Sequence, residues 1–138
     1  MRLLVNIDVP DLAAAERFYT QAFDLRYARR FGADAVELSG ANVPVYLLCK
    51  PSLGKSSGPA ASASAQRDYA RHWSPVHCDV VVDDIDVALV AALAAGAHQE
   101  GAIRYEAWGR IVQLADPFGH GWCLLQFVGR GYDETASS

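Results

Sequence analysis

Residues 76–80 read VHCDV, with a histidine and an aspartate two positions apart in a run of strand formers. In an extended strand alternate side chains share a face, so His77 and Asp79 point one way and Val76, Cys78 and Val80 the other. An imidazole that titrates near neutrality beside a carboxylate is a unit suited to acid–base work, and both groups are metal donors. His77 therefore reads as a cavity ligand, a general base, or a histidine hydrogen-bonded within its sheet. Asp79 reads as a group that orients His77, a hydrogen-bond acceptor for a ligand, or a carboxylate satisfied by a neighbouring arginine. Two apart on a strand, their Cβ atoms are about 7 Å from one another, so contact needs side chains that reach.

The stretch has an echo near the start of the chain. VNIDV, residues 5–9, matches VHCDV and sets Asn6 against His77 and Asp8 against Asp79. VYLLCK (45–50) matches GWCLLQ (121–126) more loosely, which pairs Tyr46 with Trp122 and Leu47 with Cys123. Tyr46, Trp108 and Trp122 are flat surfaces on which a planar ligand would stack, and are equally packing residues. Trp108, beside Gly109 at a hairpin, is placed best to rim a mouth. Arg104 and Arg110 read as surface charge or as anchors for an anion. His120, after Gly119 in a turn, is expected on the solvent side. Cys123 has no clear activating base, so it reads as a buried thiol rather than a nucleophile.

The elements that must position these residues follow from periodicity. RLLVNIDV alternates as a strand, Pro10 breaks it, and Asp11 is placed to cap a helix with apolar residues at 12, 15, 18, 19, 22 and 23. Three strand-like runs follow: RYARRF, DAVELS and VPVYLLC. The order then repeats. SPVHCDVVV is a strand, Asp83 or Asp84 caps a helix with a stripe of Ile85, Leu89, Ala92 and Leu93, and Gly96 sits where a C-cap glycine would. GAIRYEAW, RIVQLA and GWCLLQFV complete the set, with a type I turn at Asp116-Pro117-Phe118-Gly119. The organisation expected is a first βαβββ module over 1–50, a Ser/Gly/Ala-rich linker or flap over 51–72 in which RDYARH forms a helical turn, a second module over 73–129, and a frayed tail over 130–138. Each module has one helix for one sheet face, so the other face is left for a partner half or a ligand. The fold class is α+β, with helices outside a curled mixed sheet or incomplete barrel.

The chain has 138 residues, 51% of them hydrophobic, enough to bury a real core. A net charge of −4 with 12 Lys+Arg argues against nucleic acid as the main partner. No apolar stretch approaches a membrane span, and the first residues carry too short an apolar run for a signal peptide. Cys49, Cys78 and Cys123 are an odd count without a CxxC pair, as expected of reduced thiols in the cytoplasm.

Two βαβββ modules, a first strand running into a D-L helix, and the late segment ADPFGHGW resemble the vicinal-oxygen-chelate superfamily, which includes glyoxalase I, bleomycin-resistance proteins, fosfomycin-modifying enzymes and extradiol dioxygenases. The resemblance covers the chain outside the linker and tail. It implies a cavity shared by paired modules and, in many members, a homodimer. It also implies up to four metal ligands from the first and last strands of each module, His or Gln on the first and Glu on the last. Mapped here, those positions hold Asn6, Leu47, His77 and Cys123, of which His77 alone matches; Asp8, Glu37 or Asp79 could add a donor by pointing inward. The reading implied is a cavity lined by Asn6, Asp8, Tyr46, His77, Asp79, Trp108 and Cys123 that binds a small, partly aromatic molecule without a catalytic metal. A lyase or dioxygenase holding divalent Fe, Mn, Ni or Zn through His77 and a carboxylate is the alternative; a metal-free form would use His77 and Asp79 as an acid–base pair. A structural or regulatory dimer whose cavity is filled by Leu47 and Leu125 is the third.

Overall fold

The computed structural model describes residues 1–50 and 67–137, so most of the expected linker lies outside the described residues. Chain contacts divide the protein into two compact units, Met1–Thr20 with Asp24–Ala70, and Gln21–Phe23 with Arg71–Ser138. Among the described residues no helix is long and apolar enough to cross a membrane.

In the first unit, β1 (Val5–Val9) leads into α1 (Leu12–Ala22), then β2 (Arg26–Phe31), β3 (Ala35–Ser39) and β4 (Val45–Cys49). Asp11 opens the helix as expected, its carboxylate accepting from the Ala14 N–H at 2.9 Å. The sheet order is β1-β4-β3-β2, with β1 parallel to β4 and the other pairs antiparallel. Ile7, Val9, Val36, Leu38, Val45 and Leu47 are buried along one sheet face, and Leu12, Ala15, Phe18 and Tyr19 along one stripe of α1. Edge strand β2 is exposed throughout, and its three arginines discourage pairing with another chain.

The second unit repeats this order: β5 (Cys78–Val81), α2 (Ile85–Ala95), β6 (His98–Gln99), β7 (Arg104–Glu106), β8 (Gly109–Ala115) and β9 (Gly121–Phe127). β5 is parallel to β9, β8 is antiparallel to β9, and β6 and β7 both pair β8. The strand expected over GAIRYEAW is shortened to β7, and a separate two-residue piece, β6, precedes it. Asp84 is the N-cap, accepting from the Asp86 and Val87 N–H groups, and Gly96 ends the helix at φ 112, where a side chain would be strained. Ile85, Leu89 and Ala92 are buried, whereas Leu93 is 40% exposed. At 3.6 residues per turn Leu93 lies about 80° round from Ile85, off the narrow stripe. Gly109 begins β8 because a Cβ there would sit 2.2 Å from the Gln126 carbonyl oxygen.

Two further expectations are corrected. The backbone of residues 67–72 forms no helical turn; Tyr69 instead donates to the Lys50 carbonyl at 2.6 Å and Arg67 pairs with Asp8. The tail does not fray at once. Gly131–Glu134 form a 3-10 turn whose Tyr132 ring packs on Phe127 and Trp108, at 4.8 and 5.3 Å between centroids.

Candidate functional site

Strand alternation in the first unit places the exposed Asn6 and the half-buried Asp8, Glu37, Tyr46 and Leu48 on the face opposite the core. The ladder pairs Asn6 with Tyr46, Asp8 with Leu48, and Glu37 with Tyr46, so the three residues expected here do share one face. Leu47 does not: it is fully buried on the core side. Both carboxylates on the open face already hold a cation. Asp8 pairs with Arg67 and Glu37 with Arg29, whose guanidinium lies 5.2 Å from the Phe31 ring centre.

The second unit corrects the register inferred from the repeat. β5 pairs Cys78 with Trp122 and Asp79 with Cys123, whereas β1 pairs Asp8 with Leu48. Asp8 and Asp79 are equivalent, so Leu48, not Leu47, is the counterpart of Cys123. One residue of slip reverses the face, which is why a bulky core residue stood at a supposed cavity position.

His77 lies one residue before β5, and its imidazole still reaches Asp79, Nε2 to Oδ1 at 3.5 Å. One donor atom from each of His77, Asp79 and Cys123 falls within 4.8 Å of the others, with the histidine and aspartate exposed and the cysteine buried. Ile111 and Leu125 bury beside Cys123, and Trp108 packs against the three. Burial, and then the neighbouring negative charge of Asp79, push the Cys123 thiol up to about 11; Arg104 opposes this weakly. A thiol so placed is protonated at neutral pH and is no nucleophile on its own.

A shallow hollow opens beside this cluster, lined by Arg71, Trp73, His77, Gln113, Trp122 and Cys123. Trp73 and His77 are 6.3 Å apart between ring centres. Arg71 is held by both oxygens of Glu100, at 2.7 and 2.8 Å, and by the His72 carbonyl. Its guanidinium lies over Gly121, where a Cβ would be 2.7 Å from Nη2. Gln113 pairs with Cys123 in the ladder and so shares its face. Arg71 and Trp73 belong to a segment without periodicity, so no pattern could point to them. Gln113 was legible as a polar residue inside the apolar strand RIVQLA.

Other singled-out residues fall elsewhere. Trp108 is packed among Phe127, Tyr132 and the Cys123 cluster rather than lining the hollow. Arg110 pairs with Asp86 at 2.8 Å and stacks on Tyr105. His120 is half-buried rather than on the solvent side, drawn in by Asp116: Nδ1 lies 2.9 Å from Oδ2. That buried carboxylate also accepts from the Phe118 and His120 N–H groups and from Trp122 Nε1. The turn closes as expected through Gly119 N–H to the Asp116 carbonyl at 3.4 Å.

Residues 4–125 match the family model described as the glyoxalase-like domain. The chain belongs to the glyoxalase-like domain family. Uncharacterised proteins of Mycobacterium bovis and Mycobacterium tuberculosis H37Rv are each 34% identical to this glyoxalase-like chain over 135 residues, covering 89% of it and 81% and 72% of their own lengths. The fold is that of solved relatives at lower identity. A genomically encoded fosfomycin resistance protein, FosX, of Listeria monocytogenes aligns with a TM-score of 0.71 at 14% identity over 99% of this chain and 98% of its own. A glyoxalase/bleomycin resistance protein/dioxygenase family enzyme of Burkholderia phytofirmans aligns with 0.69 at 17%, over 91% and 97%. The glyoxalase-like family thus lies within the vicinal-oxygen-chelate superfamily that ADPFGHGW and the paired modules resemble, and its α+β fold of two open mixed sheets is the one expected.

The metal set implied by that resemblance does not fit the residues present. Oxygen chelation calls for hard N/O donors from the first and last strands of each module. The first unit offers the Asn6 amide and the Leu48 hydrocarbon at those positions, and its carboxylates are engaged by Arg67 and Arg29.

Proposed function

We propose that this glyoxalase-like domain binds a small, partly aromatic molecule at the hollow beside His77, without a catalytic metal. The carrying observation is the lining itself: an aromatic surface, Trp73, stands beside His77, Gln113 and the Arg71 guanidinium. A planar ring would lie against the indole while polar substituents meet the imidazole and amide, the mix of apolar surface and few polar groups by which small-molecule sites select. Arg71, partly neutralised by Glu100, has five N–H donors, three of them engaged by Glu100 and the His72 carbonyl, and the others would meet an anionic substituent. Within the first unit, Asn6, Asp8 and Tyr46 are proposed separately as ligand contacts on that unit's own open face.

Intrinsic tryptophan fluorescence and thermal shift against glycopeptides, quinones and aromatic drugs, run with excess chelator, test this reading. At a hundredfold excess over Kd a true ligand stabilises by about 2.7 kcal/mol. Trp73→Ala should abolish the response; a flat response across the library overturns the proposal. A second reading, acid–base turnover by His77 and Asp79, is favoured by their 3.5 Å approach. It requires product to accumulate from a bound ligand and to stop in Asp79→Asn.

A further inference from the structure

We propose, resting on the ligand reading above, that Glu100 determines which charge the hollow accepts: it admits one singly charged group such as a carboxylate and turns away doubly charged groups such as a phosphate monoester.

Glu100 reaches Arg71 from a fixed backbone. It follows β6 directly, and its N–H donates to the Gln113 carbonyl of β8 at 2.9 Å, which anchors it to a residue that lines the hollow. Its two oxygens accept from Arg71 Nε and Nη2 at 2.7 and 2.8 Å, the paired geometry in which guanidinium and carboxylate match best. Nη1 donates to the His72 carbonyl, and the guanidinium lies over Gly121, whose lack of a side chain allows that approach. One N–H therefore remains on each terminal nitrogen. Two donors suit the two oxygens of one further carboxylate.

Charge then limits what those donors can hold. The single positive charge of Arg71 is already matched by Glu100, and the buried Asp116 carboxylate adds its field to the same guanidinium. The side chains of Arg71 and Glu100 are 33% and 26% exposed, so water and salt screen the group less than a fully solvated pair. A bound carboxylate shares the guanidinium with Glu100 and sets two hydrogen bonds against one repulsion. A phosphate dianion finds no additional donor and meets that repulsion at twice the strength. A neutral amide meets no repulsion and forgoes the charge-assisted bonds. Glu100 acts through Arg71 without lining the hollow, so its signature is selectivity between ligands rather than affinity for any one of them.

The test titrates the full chain calorimetrically with 2-naphthamide, 2-naphthoate and 2-naphthyl phosphate, a series of charge 0, −1 and −2 at pH 8 on one aromatic ring system. Wild-type protein should take the naphthoate more tightly than the phosphate. Glu100→Gln keeps the size of the side chain and removes its charge. It should leave the naphthamide within about twofold, tighten the naphthoate about fivefold and tighten the naphthyl phosphate about 25-fold, since the repulsion lost scales with ligand charge. Arg71→Gln should act the other way, weakening the naphthoate more than the naphthamide. Equal shifts of all three probes in Glu100→Gln, or none, overturn the proposal and leave the ligand reading standing. So does a naphthoate affinity unmoved by Arg71→Gln, or a wild-type protein that takes the phosphate as tightly as the naphthoate. If no probe binds either wild-type protein or Glu100→Gln, the ligand reading falls and this proposal with it.

Discussion

Asp79 and Cys123 sit opposite one another in the parallel ladder between β5 and β9, an exposed carboxylate next to a buried thiol. The pairing couples a water-accessible carboxylate to the least accessible group of the cluster, and the thiol feels it as a charge that resists ionisation.

Cys123 of metal-free protein should therefore alkylate slowly. With a pKa of about 11, its thiolate fraction at pH 8 is about a thousandth, and the rate should still climb up to that pH. Burial is the larger cause, so Asp79→Asn should quicken the reaction without making it fast. Peptide-level mass spectrometry after timed iodoacetamide exposure reads this; labelling of Cys123 at the rate of an ordinary exposed thiol would contradict it.

The faces of β4 can be tested by truncation. Leu47→Ala empties a fully buried site and should cost about 3 kcal/mol in urea unfolding. Tyr46→Ala, on the open face, should cost markedly less. A reversed order would mean that the strand is in the other register.

Asp116 is the polar hub of the second unit. Asp116→Ala leaves the Phe118 and His120 N–H groups and the Trp122 indole without their acceptor, and should destabilise by about 3 kcal/mol in denaturant unfolding. Asp116→Asn keeps an acceptor oxygen and should lose less.

Acid should unfold the protein partly through Glu100. The hydrogen bond from Arg71 holds its carboxyl below the ordinary 4.5, so the folded chain binds its proton less readily than the unfolded chain. The stabilisation is complete above that pH and disappears as pH falls through the lower folded value. Asp86, held down by Arg110, adds in the same sense. Tm followed from pH 7 to pH 3 should drop at the acid end, and Glu100→Gln should flatten the drop.

The element order was readable because each helix and strand carries its own periodicity: Leu12 to Ala22 repeat every three or four residues, Val5 to Val9 every two. Caps at Asp11, Asp84 and Gly96 were readable because capping is local chemistry. What the sequence could not carry was set by partners distant along the chain. The register of β4 depends on which carbonyls β1 presents, and similarity between VYLLCK and GWCLLQ misplaces it by one residue. His77 and Asp79 were found from their spacing; that Cys123 joins their cluster depends on the β5–β9 ladder. Arg71 and Trp73 owe their places to Glu100 and His77, contacts that no local pattern announces.

Gly121 has an evolutionary consequence. Any other residue there would drive its Cβ into the Arg71 guanidinium, the movable end of a long side chain rather than fixed backbone. Mutation at 121 would evict the arginine and leave the sheet intact, so substitutions at 71 and 121 should co-vary among homologous sequences. One codon could thus retune the charge at the mouth of the hollow between lineages while the scaffold stays unchanged.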